Sequence, residues 1–164
     1  MSALALQDSK KEAWDRFQAL PWPSKTDEEW RRTDPGVIPV SSKTGPETTS
    51  SAVSVGWETV PPEWIRAGVI LTDLATALRQ FPERVEEYLF RSGNPEGFPK
   101  FVALHQALWN QGLFGYIPDG VTVELPLKSW VEIPPGSTSV YPHLLLVVGH
   151  EAGQGDDDKD LGDL

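Results

Sequence analysis

Apolar positions Ala13, Trp14, Phe17 and Leu20 recur at helical spacing and predict an amphipathic helix over Asp8–Leu20. Pro21 and Pro23 end it, because proline lacks the amide that a continuing helix needs. Thr26-Asp27-Glu28-Glu29 has the form of a capping box and predicts a second short helix, with Ser24 as the alternative cap. The stretch Ser41–Ser51 has no apolar periodicity and reads as a linker. Pro61-Pro62-Glu63-Trp64 predicts one helical turn closed by Gly68, followed by a short strand at Val69–Leu71. Thr72 is placed to cap a helix running through Arg79. Pro82 is placed to open another, Pro82–Phe90, with Val85, Tyr88 and Leu89 inward. Gly93–Gly97 reads as a turn. Pro99–Asn110 is the strongest helical pattern, with Phe101, Leu104, Leu108 and Trp109 as its apolar face and its end at Gly112.

Beyond Gly112 the period changes to that of strands. LFGYIP, VTVELPL, SWVEIPP and LLLVV are short β runs separated by Pro-Asp-Gly, Lys-Ser and Pro-Pro-Gly punctuation. Run centres lie roughly eight to twelve residues apart, the rhythm of a sandwich or barrel, which a β-helix shares. The expected layout is a helical amino-terminal segment (1–40), a flexible linker (41–60), a helical region (61–112), a short β region (113–150) and a disordered acidic tail (151–164).

Composition narrows the function. The chain has 164 residues, is 39% hydrophobic and carries seven Trp, enough for a core. Its net charge of −10 argues against nucleic acid or anionic membrane as partner. Half of that charge falls in Glu151–Leu164, where six acids face the single Lys159. Cysteine is absent, which removes disulfides, thiolate metal sites and thiol nucleophiles and fits a cytoplasmic location. The amino terminus does not read as a secretory signal, and the longest aliphatic run, Leu144–Val148, is too short to span a bilayer.

Three stretches, in order, carry a resemblance: LPWPSKTDEEWRRT (Leu20–Thr33), GVILTDLATALRQFPERVEEYL (Gly68–Leu89) and KFVALHQALWNQGLFGYIPDGVTVELPL (Lys100–Leu127). Together they resemble the amino-terminal region of the SufB/SufD family, scaffold subunits of the SUF iron–sulfur cluster assembly system, and SufD more than SufB. The resemblance covers about Lys11–Val148, with Ser41–Ser51 unmatched. It implies an α+β fold in which a helical amino-terminal region leads into the first strands of a right-handed parallel β-helix, here in a truncated form. It also implies a non-catalytic scaffold role, with a SufB-like subunit and the SUF ATPase as partners. The family's cluster-building and ATPase-docking positions lie in its later part, so none transfers to a residue of this chain. No catalytic, cofactor-binding or metal-binding residue is therefore assigned, and no cofactor is expected.

The candidate chemistry is thin. His105 sits among apolar helical positions and reads as structural. His143 and His150 are seven apart on one strand and point to opposite faces, so they cannot chelate jointly. Asp156-Asp157-Asp158 lacks the terminal Glu and the flanking helices of a calcium loop and reads as a solvated tail. Glu28, Glu29, Arg31 and Arg32 read either as a recognition patch or as helix-end charges, the second being preferable for Glu28 and Glu29, and Trp30 reads as packed beneath the loop. Two other functions fit the pattern less well: a cupin-like β-barrel enzyme with a single metal, and a generic adaptor module without a SUF role. A β-helix gains stability by stacking, and this chain has material for one or two turns. Leu144–Val148 is therefore expected to present an open edge and to mediate a homo-oligomer.

Overall fold

Helix α1 (Ala3–Ala19) lies along α5 (Pro99–Leu108), in a computed structural model describing residues 3–37, 53–89, 98–124, 126–135 and 140–154. The small side chains of Ala13, Ala103 and Ala107 let the two helices approach, with Phe17, Leu104 and Leu108 filling the seam. Helix α1 starts before the expected Asp8 because Ala-Leu-Ala-Leu-Gln is a run of strong helix formers without a breaker. The segment after Pro21 departs from expectation. Glu28–Trp30 is a single 3-10 turn, and no side chain caps it. Asp27 instead turns back, its Oδ2 accepting from Ser24 N at 2.8 Å, while Thr26 N donates to Ser24 Oγ. A second 3-10 turn follows at Pro35–Val37.

Strand β1 (Ser54–Trp57) lies within the span expected to be linker. Then come α2 (Pro62–Arg66), β2 (Ile70–Asp73), α3 (Leu74–Gln80) and α4 (Pro82–Tyr88). Gly68 closes α2 at φ +88°, a left-handed conformation that glycine adopts without strain. The cap of α3 is Asp73, not Thr72: its Oδ1 accepts from Thr76 N at 2.7 Å. Thr72 is committed to β2, opposite Phe114. In α4, Val85 and Leu89 are buried, but Tyr88 is exposed, because the i and i+4 positions already occupy the inner face.

Helix α5 ends at Leu108, two residues earlier than expected, and Gly112 belongs to a strand. The strands are β3 (Gln111–Ile117), β4 (Thr122–Val123), β5 (Ser129–Glu132), β6 (Pro142–Val148) and β7 (Gly153–Gln154). β3 is the centre of a three-stranded sheet, antiparallel to β2 and parallel to β6. Helices α3 and α4 and the end of α5 bury Leu74, Val85 and Trp109 on one face of it, against Phe114, Leu145 and Val147. Gly112 has a packing reason: an added Cβ would strike the carbonyl oxygen of His143 on β6.

The parallel pairs share one register. Gln111 pairs with Pro142 and Thr122 with Gly153, 31 positions on in each case. The corner between the strands keeps the same offset. Val121 N donates to Pro118 O, and Ala152 N donates to Gly149 O, both at 3.2 Å. Gly120 (φ +68°) and Glu151 (φ +54°) are both left-handed. The corners also bond each other, Gly149 N donating to Ile117 O and Gly120 N to His150 O. Residues 149–150, expected to close the β region, and 151–154, expected to open a disordered acidic tail, thus form a second corner and strand. β1 and β5 make a separate antiparallel ribbon. The described residues form an α+β arrangement of five α-helices and small sheets, with no closed barrel, so the cupin-like architecture is not what forms. Ser41–Ser51, Gly93–Gly97 and Asp156-Asp157-Asp158 lie outside the described residues.

Candidate interaction surface

β6 binds β3 along one edge, and among the described residues no strand pairs with its other edge. Its burial alternates with the two-residue period of a strand. Leu145 and Val147 are 7% and 8% exposed beneath the helices, whereas Leu144, Leu146 and Val148 are 56%, 43% and 46% exposed. The exposed row stands opposite Leu113, Gly115 and Ile117 of β3, which are all buried. The result is an aliphatic row beside a strand edge that no described strand covers, the chemistry that accepts another strand. The expected open edge at Leu144–Val148 is present in this form. The β5 ribbon adds exposed Trp130, Val131 and Ile133.

At the start of β6 the structure joins two of the three histidines. His105 Nε2 of α5 and His143 Nδ1 of β6 are 2.9 Å apart, so one imidazole donates to the other. Trp109 packs on the His143 ring at 5.7 Å. Lys10 of α1 donates to Trp109 O and sits 4.7 Å from the centroid of that indole. Burial pushes the His105 pKa down. Burial, and secondarily repulsion from His105, push His143 down to about 4. Both rings are therefore neutral at pH 7, and the pair ties α5 to β6. His150 stands apart and exposed, with Nδ1 3.9 Å from Glu151 Oε1. Among the described residues no cluster of three or more His, Asp or Glu has the geometry of a metal site.

The remaining candidates are local. Arg31 pairs with Glu28 at 3.2 Å on the surface. Trp30 is buried as expected, stacked near Phe98 and Phe101. Sequence reasoning missed the His105–His143 contact. The two lie 38 positions apart on different elements, and only the β3–β6 register brings them together. No local motif could have signalled it.

Residues 57–128 match a family model described as the SufBD protein N-terminal region. This span holds two of the three stretches singled out above; Leu20–Thr33 lies outside it. Over 80 residues the chain is 39% identical to the iron–sulfur cluster assembly protein SufD of Bacillus subtilis, covering 49% of this chain and 18% of that protein. A SufBD family iron–sulfur cluster assembly protein of Mycobacterium tuberculosis is 38% identical over 80 residues, 49% of this chain and 9% of the relative. One from Pyrococcus horikoshii is 31% identical over 88 residues, 52% of this chain and 19% of the relative. The chain thus spans less than a fifth of the length of these relatives. Among the described residues no helix is long and apolar enough to cross a membrane.

Proposed function

We infer that this chain, whose residues 57–128 match the SufBD protein N-terminal region, serves iron–sulfur cluster assembly as a non-catalytic, SufD-like scaffold element acting in the cytoplasm. Its part is to present the foundation of a parallel β-helix to other subunits. The observation that carries this reading is the 31-residue register shared by β3–β6, β4–β7 and the corner between them. Stacked parallel strands joined by repeating corners are the unit of a solenoid, in which each coil buries its face on the next. The matched region supplies the helices that seat the first coil, α3 to α5, and most of that coil itself. The second coil begins with β6, which carries the open row Leu144, Leu146 and Val148. A row of this kind takes another strand, either from a SufB-like scaffold subunit or from a second copy of this chain in a two-fold pair. The SUF ATPase joins through such an assembly.

Co-expression tests the reading. Tagged chain should copurify with a SufB-type scaffold and its ATPase, and Leu146→Lys should abolish that recovery while the fold persists. Recovery of neither subunit, from cells in which both are present and soluble, would leave only an adaptor role without a SUF partner.

A further inference from the structure

A second feature lies on the opposite side of the sequence, where the 20–30 segment meets the start of α5. Pro21, Trp22, Pro23, Phe98 and Phe101 line a half-open cavity of about 130 Å³. That is close to the volume that holds a single benzene ring. The walls are aromatic in a connected way: Trp22 meets Phe101 edge to face at 5.8 Å, and Phe101 rests on buried Trp30 at 5.1 Å.

Lys100 lines the same cavity. Lys100 is 5% exposed. Its Nζ donates to Phe17 O at 2.8 Å and Leu20 O at 2.6 Å, closing the end of α1. It stands over the rings of Phe17 and Trp22, at 4.4 and 5.0 Å from their centroids. Among the described residues no carboxylate pairs with it. An ammonium carries three donors, so one remains for a ligand. A buried cation held by carbonyls and rings alone gains from a full negative charge. The first turn of α5 lines the same cavity, and no side chain caps it, so its backbone adds positive potential there. Asp27 lies on the wall with Oδ2 engaged by Ser24 N, and its charge disfavours a second acid group on the occupant.

We propose that this cavity binds a small apolar monocarboxylate, its ring or branched chain against the exposed faces of Trp22, Phe98 and Phe101 and its carboxylate on Lys100 Nζ. The same chemistry is offered by a free aryl acid and by the carboxyl terminus of a peptide ending in an apolar residue. The site is independent of the scaffold reading and lies on different residues from the β6 row.

Titrating the full chain with phenylacetate, 2-phenylethanol and phenethylamine, read by the indole N–H resonance of Trp22 in NMR spectra, tests the proposal. Phenylacetate should bind at least about tenfold more tightly than the alcohol, with the amine weakest, as expected when one charge-assisted bond is gained or opposed. Trp22→Ala removes a half-exposed wall that meets the core only at the edge of Phe17 and should weaken phenylacetate at least about fivefold. Lys100→Met should erase the preference for the acid over the alcohol. Should that variant fail to fold, the ligand series on the unmodified protein and Trp22→Ala still decide. Equal affinity for acid and alcohol, shifts confined to other tryptophans, or no binding of any probe at about 10 mM would overturn the proposal. Acetyl-Gly-Gly-Phe acid, compared with its amide, separates the sources. Tighter binding of the acid than of phenylacetate assigns the site to a peptide terminus, and weaker binding assigns it to a free acid.

Discussion

β3 and β6 are both seven-residue strands, paired residue for residue in parallel, yet they have opposite fates. β3 is covered on both faces: Phe114 lies under the helices, and Leu113 and Ile117 are buried on the other side. β6 shares the helical cover through Leu145 and Val147 and leaves Leu144, Leu146 and Val148 open. Their compositions are similar enough that hydrophobicity does not separate them. Position in the sheet does: β3 has a strand on each side, and β6 has a described strand on one. The same kind of side chain is therefore core in one strand and exposed surface in the other.

The contrast can be broken most severely at β3. Phe114→Ala removes a fully buried ring and should cost about 3–5 kcal/mol, measured by urea denaturation. A loss under 1 kcal/mol would mean that the sheet is not the core. Leu108→Ala tests the helical cover and should cost about 2–5 kcal/mol through the cavity it leaves between α1 and α5. A variant melting like the parent would detach α5 from the core.

The histidine pair sharpens the contrast at the end of β6. Both rings have pKa values depressed below the ordinary 6.5, so between about pH 6.5 and 4 the unfolded chain binds protons that the folded chain refuses. Stability should be full above pH 6.5 and fall as pH drops through that window. The loss is on the order of 1–2 kcal/mol once solvent screening of these partly exposed rings is allowed for. His143→Gln should flatten the thermal-melt profile between pH 4.5 and 6.5. An unchanged slope would assign the acid sensitivity to other groups. The smallest effect belongs to the open row: Leu144→Ala should change stability by no more than about 0.5–1 kcal/mol. A larger loss would show that this face is covered within the molecule.

Much of this arrangement was legible in the chain. The α5–β3 junction, the Gly68 closure and the buried Trp30 follow from helical period, glycine placement and aromatic content. The α3 cap was misplaced by one residue, because Thr72 and Asp73 are both good caps and only pairing of Thr72 in β2 decides between them. The second corner was missed because Gly149-His150-Glu151-Ala152 shares no residue type in register with Pro118-Asp119-Gly120-Val121. Backbone conformation repeats there without side-chain identity, and Glu151 takes a left-handed φ where glycine would be expected. The alternating pattern of β6 pointed to its open face, whereas the His105–His143 contact needed the sheet register.

The central claim is that the Leu144, Leu146 and Val148 row is an interaction edge. Light scattering on the purified chain, with and without Leu146→Lys, tests it most directly. The account predicts a dimer mass for the unmodified protein and a monomer of unchanged melting temperature for the variant. A monomer for the unmodified protein at high concentration, or a dimer indifferent to the lysine, would contradict it.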